Sequence, residues 1–356
     1  MSNVHPHVCS VIPQHMLDRL AERSSGPVRD AAEATLVQMH LLATERVNTF
    51  VDLLPLAGAP PKQRHVYDAR GERTLPGCLV RTEDQPATRD IQVNEAFDGA
   101  GATWDFFNEV FDRDSIDGCG LRLDSTVHYG KQFQNAMWNG SQIVYGDGDG
   151  RTFRRFTRSL AVIGHELVHG LTQYAAFLGY SGETGALNEH LSDAFGAMIV
   201  QYAAKQTVDE ADWLIGRELL GPGVKGVAIR SMAAPGSAYD DRVLGRDPQP
   251  RHMRDYVDTP ADHGGVHINS GIPNHAFYRA AKAIGGYSWE VMGRVWYAAL
   301  TERLTSDDGF EDFARATVDI AGERYSNGGH VQQAIAGAWE AVGIPVPIFN
   351  RRRRAA

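Results

Sequence analysis

The hydrophobic period of the chain changes near Phe153, and that change limits the architecture more than any other feature. From Val66 to about Gly150, apolar residues come in short runs separated by Gly, Asp and Asn. Val127 with Tyr129, and Ile143-Val144-Tyr145, read as strands that each end at a turn. Trp104 to Phe111 is a helical exception, and Gly146-Asp147-Gly148-Asp149-Gly150 is a turn cluster that lacks the full ligand spacing of a calcium loop. Beyond Phe153 the spacing turns helical in long segments, over residues 157–177, 186–206, 273–285, 288–304, 309–325 and 328–342. The expected fold is α+β with two lobes, β-rich first and helical second.

Ahead of both lobes, Met16, Leu17 and Leu20, then Leu36, Met39, Leu42 and Val47, give residues 15–53 a helical spacing broken at Ser24-Ser25-Gly26-Pro27. Residues 55–62 are rich in Pro and Gly, which continue neither helix nor strand. The division expected is an N-terminal segment with linker over 1–60, a β-rich lobe over 61–156 and a helical lobe over 157–350. A net charge of −9 argues against a nucleic-acid surface, and Arg351 to Arg354 read as a solvated tail. No stretch approaches the roughly 20 apolar residues that cross a bilayer, so membrane insertion is not expected. Met1 to Gln14 lack the basic start and apolar run of a signal peptide; cytoplasmic accumulation with leaderless export is the expectation. Cys9, Cys78 and Cys119 give neither a disulfide framework nor a paired-cysteine zinc site.

The stretch that carries chemistry is His165-Glu166-Leu167-Val168-His169. Helical residues four apart share a face, so both imidazoles can reach one ion, and the apolar Leu160, Val162, Ile163, Leu167 and Val168 argue that the helix is buried. Two core histidines are the alternative that this spacing alone leaves open. Further on, Glu189 and Asp193 again lie four apart, among Leu187, Leu191, Ala194, Phe195 and Met198, and buried carboxylates need partners. A catalytic zinc takes three protein ligands and one open position. His165, His169 and Glu189 meet that need, leaving Asp193 to accept a hydrogen bond from a ligand imidazole.

The stretches HELVHGLT and GALNEHLSDAFG, with NAMWNGSQIVYGDGDG upstream and GGVHINSGIPNHAFY downstream, resemble the thermolysin-like neutral zinc metalloproteases, over about residues 64–344. The resemblance implies a zinc endopeptidase acting on peptides and proteins, with the His-Glu helix on the floor of a cleft between the lobes. It implies one zinc on His165, His169 and Glu189, Glu166 as general base, and Asn188 and Asp193 as partners of the ligand histidines. His267 matches the oxyanion-stabilising histidine, Tyr180 its companion phenol and Asp262 its orienting carboxylate. The family's Asn after that Asp is His263 here. Without the resemblance, His267 reads as an ordinary loop histidine. Asn135 and Ala136 match the cleft-edge strand, and Arg230 the side chain that binds a substrate carbonyl. Phe153, Phe156, Val162, Ile215, Leu219 and Ile229 match the primary pocket; being apolar, they imply cleavage before bulky hydrophobic residues, with core packing as the alternative for some of them.

Family members with paired calcium ions hold them through carboxylates where this chain has Ala161, Val200, Asp212, Leu214 and Arg217. Calcium needs several oxygen ligands, so the double site is expected to be absent. The stretch CSVIPQHMLDRL resembles the short propeptide of the protealysin-like branch, with Gln14 and His15 where that branch often has Pro and an aromatic. That implies a latent precursor that binds its own propeptide in cis and cuts itself around residues 45–65. Cys9, or His5, His7 or His15, is a candidate for the open zinc position in that form. An exopeptidase would need an acidic anchor for a free N-terminus, and no such motif is evident. A non-catalytic binding protein would be favoured by loss of Glu166 or His267, and both are present.

Overall fold

The N-terminal helical period breaks where Gly26 adopts a left-handed φ of 59° and Pro27 opens the next helix, a first-turn position at which its missing N–H costs nothing. The computed structural model describes residues 9–46 and 62–348. A short strand β1 (Cys9–Ser10) precedes helices α1 (Gln14–Arg23) and α2 (Pro27–Arg46). Met16, Leu17 and Leu20 lie on one face of α1 and are buried in the same cluster as Val66, Phe97 and Trp138. Val47, most of the expected linker and the arginine run lie outside the described residues.

The first lobe is built on a mixed sheet of β1 with β2 (Arg64–Asp68), β3 (Cys78–Arg81), β4 (Leu123–Val127), β5 (Ala136–Trp138) and β6 (Ile143–Tyr145), in the order β1-β5-β6-β4-β2-β3. β4 runs parallel to β2 and β6; the other pairs are antiparallel. Tyr129 does not extend β4, because His128 turns the chain at φ 53°. Helix α3 (Ile91–Phe111) is much longer than the Trp104 to Phe111 run. Its first half reads poorly as a helix because it contains Gly99 and Gly101. The present packing uses the space at both: a Cβ on Gly99 would lie 2.3 Å from Ile163 Cδ1, and one on Gly101 would lie 2.1 Å from Arg64 Nη1, so either side chain would have to shift. Asp90 caps the helix by accepting from the Gln92 amide.

The second lobe comprises α4 (Leu160–Ala175), α5 (Gly182–Ala204), α6 (Asp262–Asn269), α7 (Gly271–Ile284), α8 (Met292–Glu302), α9 (Phe310–Arg324) and α10 (His330–Ala341). The spacing beyond Phe153 is mostly helical and marks no strand. The structure has two small two-stranded sheets between α5 and α6, of which β7 (Leu214–Ile215) pairs with β8 (Arg230–Ser231). α4 runs between the sheet and α5, buried continuously from Ala161 to Thr172. Glycine permits the α4–α5 approach: a Cβ on Gly196 would stand 2.7 Å from the Ala161 carbonyl oxygen. The two helices therefore cross backbone to backbone, and polar residues on their facing sides must satisfy each other.

Candidate functional site

On α4, His165 and His169 share the face turned toward α5, where Glu189 faces them. His165 Nε2 lies 3.4 Å from Glu189 Oε2, His169 Nε2 lies 3.4 Å from Glu189 Oε1, and the two Nε2 atoms are 3.1 Å apart. The far nitrogens are engaged: His165 Nδ1 donates to Asp193 Oδ1 at 3.0 Å and His169 Nδ1 to Asn188 Oδ1 at 2.9 Å. When both rings are neutral, with the proton on Nδ1, two Nε2 lone pairs face each other beside a buried carboxylate whose Oε2 has no hydrogen-bond partner. A cation resolves that arrangement. Two imidazole nitrogens and a carboxylate suit zinc, and each ring is held by an outer acceptor as zinc ligands usually are. Among the described residues this is a group whose ligand atoms lie within 4.8 Å of one another.

The electrostatics follow from complete burial. Burial opposes charge on His165, yet the adjacent Asp193 and Glu189 carboxylates favour it and raise its pKa to about 9, a proton that a cation at Nε2 would displace; burial takes His169 down to about 3. Burial would also raise Glu189, but His267, His169 and His165 hold it well below the usual carboxylate range. Glu166 turns toward the sheet, where Oε2 accepts from the Trp138 amide at 2.8 Å. Burial pushes its pKa up to about 8, against the opposing pull of His165, and its Oε1 has no partner. A buried carboxyl whose proton affinity is raised to near neutrality, one residue from a candidate metal ligand, is suited to taking up and returning a proton.

Two roles were not legible beforehand. Arg230, matched to the side chain that binds a substrate carbonyl, also grips Asp193 through two guanidinium nitrogens, at 2.8 and 2.7 Å. Asn274 donates to Asp193 Oδ2 at 2.8 Å. Its place in the GGVHINSGIPNHAFY stretch was the one available signal. Asp193 thus joins a metal-ligand candidate to the peptide-facing arginine.

His267 enters from α6, whose first turn is not helical: Asp262, His263, Gly264 and Gly265 have φ of 54°, 52°, 91° and 76°. Glycine is needed at 264, because a Cβ there would meet the Gly182 nitrogen at 2.8 Å. This turn lets Asp262 accept from both the His267 amide (3.0 Å) and its Nδ1 (2.6 Å), while Gln249 Nε2 holds the His267 carbonyl at 2.8 Å. Burial opposes protonation of His267, but Asp262 and Glu189 raise its pKa to about 9. Tyr180 Oη lies 3.4 Å from His267 Nε2 and donates a short hydrogen bond to Glu189. The His263 ring stands 5.6 Å from that of Tyr180.

The N-terminal segment fills the ground in front of these groups. β1 runs antiparallel to β5, pairing Cys9 with Trp138 and Ser10 with Met137. His267 Nε2 donates to the Ser10 carbonyl at 2.7 Å, Val11 N–H to the Ala136 carbonyl at 3.1 Å, and Arg230 Nη1 to the Val11 carbonyl at 2.9 Å. Asn135 clamps Ile12 from both sides, accepting its N–H at 2.9 Å and donating to its carbonyl at 3.1 Å. Val11 and Ile12 are fully buried in one cluster with Phe153, Phe156, Val162, Leu219 and Ile229. Ile215 belongs instead to the core of the helical lobe. Cys9 is buried in a cluster with Tyr180 and Val266 and does not join the ligand group; His15 Nε2 faces Tyr239 Oη at 3.3 Å. His5 and His7 lie outside the described residues. At the positions compared with the calcium ligands, Arg217 pairs with Asp212 at 2.6 Å.

Comparison with known proteins agrees with this geometry. Residues 59–173 match the family model described as thermolysin metallopeptidase, catalytic domain, and residues 176–344 the one described as thermolysin metallopeptidase, alpha-helical domain. The chain is 48% identical to an extracellular metalloprotease of Pectobacterium carotovorum over 342 residues, covering 95% of this chain and 97% of that one. It is 44% identical to protease PrtS of a Photorhabdus species, covering 94% and 92%. The structure of the protealysin precursor from Serratia proteamaculans superposes with a TM-score of 0.86 at 49% identity, covering 94% of this chain and 99% of that one.

Proposed function

Because the chain belongs to the thermolysin metallopeptidases, hydrolases of peptide bonds, we propose that it is a zinc-dependent endopeptidase made as a latent, self-processing precursor. The observation that carries the reading is the convergence of His165, His169 and Glu189 on one point, with Glu166 beside it and a peptide already lying across it. When bound, zinc supplies Lewis acidity, acidifying water and polarising the scissile carbonyl. Glu166 takes the proton of the attacking water and delivers it to the leaving nitrogen. His267, oriented by Asp262, donates from Nε2 to the oxygen on which charge develops, with Tyr180 as its companion. Asn188 and Asp193 fix the ligand rings.

The substrate backbone adds to the edge strand at Asn135 and Ala136, as β1 does, and Arg230 holds the carbonyl after the scissile bond. Phe153, Phe156, Val162, Leu219 and Ile229, with Ile215 behind them, receive a bulky hydrophobic side chain on the C-terminal side of the cut. The N-terminal segment over residues 1–60 acts as a propeptide in cis, removed by cleavage around residues 45–65. The lobes divide at residue 156. The double calcium site is absent: Arg217 puts a cation on the remaining carboxylate. The enzyme works outside the cell, as the name of its Pectobacterium relative suggests.

Casein hydrolysis by wild type, with and without 1,10-phenanthroline, tests the mechanism against Glu166→Ala. Hydrolysis that survives either the chelator or the substitution refutes it. Peptides with Leu, Phe or Asp after the scissile bond test the pocket; preference for Asp refutes the assignment.

A further inference from the structure

The contacts of β1 single out one peptide bond. Of the backbone units in the described N-terminal segment, Ser10–Val11 has its carbonyl oxygen on His267 Nε2 and its N–H on the Ala136 carbonyl. The next carbonyl, that of Val11, is on Arg230, and both polar groups of Ile12 are on Asn135. The Val11 side chain is fully buried in the apolar cluster that also holds Phe153, Phe156, Val162, Leu219 and Ile229. Side chain, carbonyl and amide are thus all engaged by the groups that the endopeptidase reading gives to substrate, over three consecutive residues and in one direction.

We propose that Ser10–Val11 is a cleavage site of the chain itself, cut in cis, and that the cut leaves the protein latent. The inference rests on the endopeptidase reading above. Water adds across the bond: its hydroxyl goes to the Ser10 carbonyl carbon, the carbon–nitrogen bond breaks, and Glu166 passes the proton to the nitrogen that becomes the α-amine of Val11. Residues 1–10 leave with a new carboxylate at Ser10.

Latency persists because most of the docking lies C-terminal to the cut. Met16, Leu17 and Leu20 are fully buried. Arg19 donates to the Leu244 and Arg246 carbonyls, Thr35 Oγ1 accepts from the Gln134 amide, and Gln38 donates to Tyr129 Oη. None of these contacts uses residues 1–10, so Val11 and Ile12 stay in place until the linker is cut.

The test uses the full chain with zinc. Intact-mass measurement and N-terminal sequencing should find a new terminus at Val11 in wild type and none in Glu166→Ala. The rate should not depend on protein concentration, and the shortened form should still lack activity on casein. Val11→Leu should keep the cut, and Val11→Asp should slow it roughly 100-fold or more, because a carboxylate would enter an apolar site. Hydrogen exchange of the Val11 and Ile12 amides in Glu166→Ala reads docking without turnover: strong protection is expected, and exchange at free-peptide rates overturns the proposal. A wild type that cuts its linker or casein while Ser10–Val11 stays intact also overturns it and leaves the endopeptidase reading standing. Loss of every cleavage in the zinc-loaded wild type overturns both.

Discussion

Gly196→Ala is expected to weaken metal binding although residue 196 touches no metal-ligand atom. Glu189, Asp193 and Gly196 fall on one face of α5, four and then three residues apart, and that face lies against α4. The added Cβ would stand 2.7 Å from the Ala161 carbonyl oxygen and 3.4 Å from the His165 nitrogen. Both are backbone atoms of a buried helix, so no rotamer change relieves the contact. Carbon rests against a carbonyl oxygen at about 3.3 Å, so the helices must part locally by roughly half an ångström. That exceeds the roughly 0.2 Å tolerance of zinc–ligand distances, while Asp193 is drawn away from His165 Nδ1. The expected cost is about 1–3 kcal/mol of stability from overpacking and a roughly 10–100-fold loss of zinc affinity. Urea unfolding of the chelator-treated protein reads the first, and competition with a chromophoric chelator the second. Zinc affinity within twofold of wild type, in a variant destabilised as expected, would refute the claim that this crossing sets the ligand geometry. Gly337→Ala, at a helical glycine whose added Cβ meets nothing within 4 Å, serves as the control.

Arg230→Ala leaves Asp193 buried without its guanidinium and should cost about 3–5 kcal/mol, with Arg230→Lys recovering part of it; equal urea midpoints for wild type and Ala would contradict this. His128 is held by Asp147 and Asp90, with Gln92 beside them; against the opposing effect of burial, its pKa rises from 6.5 to about 9. A folded-state pKa above the unfolded one gives stability that is full below pH 6.5 and lost as pH rises through about 9. Because the two carboxylates are more than a third exposed, about 1 kcal/mol is expected rather than the full value of the shift, and His128→Gln should remove that slope from urea unfolding followed over this range. A calcium-selective chelator should leave the melting temperature unchanged within roughly 1 °C, since in a chain of this length a fall of roughly 2 °C already corresponds to about 1 kcal/mol or more; a larger fall would mean that calcium is bound.

The cluster of His165, His169 and Glu189 was legible because each half is local. Two imidazoles four residues apart need only a helix to share a face, as do Glu189 and Asp193, and the apolar residues around both pairs declared those helices buried. What the pattern lacked was the approach of the two helices, which depends on what is missing at Gly196. Helix α3 was half hidden for the same reason: Gly99 and Gly101 weaken the local signal because Ile163 and Arg64 need their space.

The segment in the cleft could be matched to a propeptide by resemblance, but its register and partners were illegible for a different reason. The bond from His267 to the Ser10 carbonyl joins residues 257 apart in sequence, and that from Arg230 to the Val11 carbonyl joins residues 219 apart. A two-residue strand has no period to detect, and its register is set by the edge it meets. Cys9 drew attention because thiolates bind zinc, but the antiparallel pairing that puts the Ser10 carbonyl on His267 sends Cys9 toward Tyr180 and Val266. Once β1 occupies the edge of β5, the backbone carbonyl meets the reactive groups and the side chains are sorted into flanking pockets. That is the arrangement a peptidase requires of any substrate, and it is carried by backbone groups whose pairing no single side chain announces.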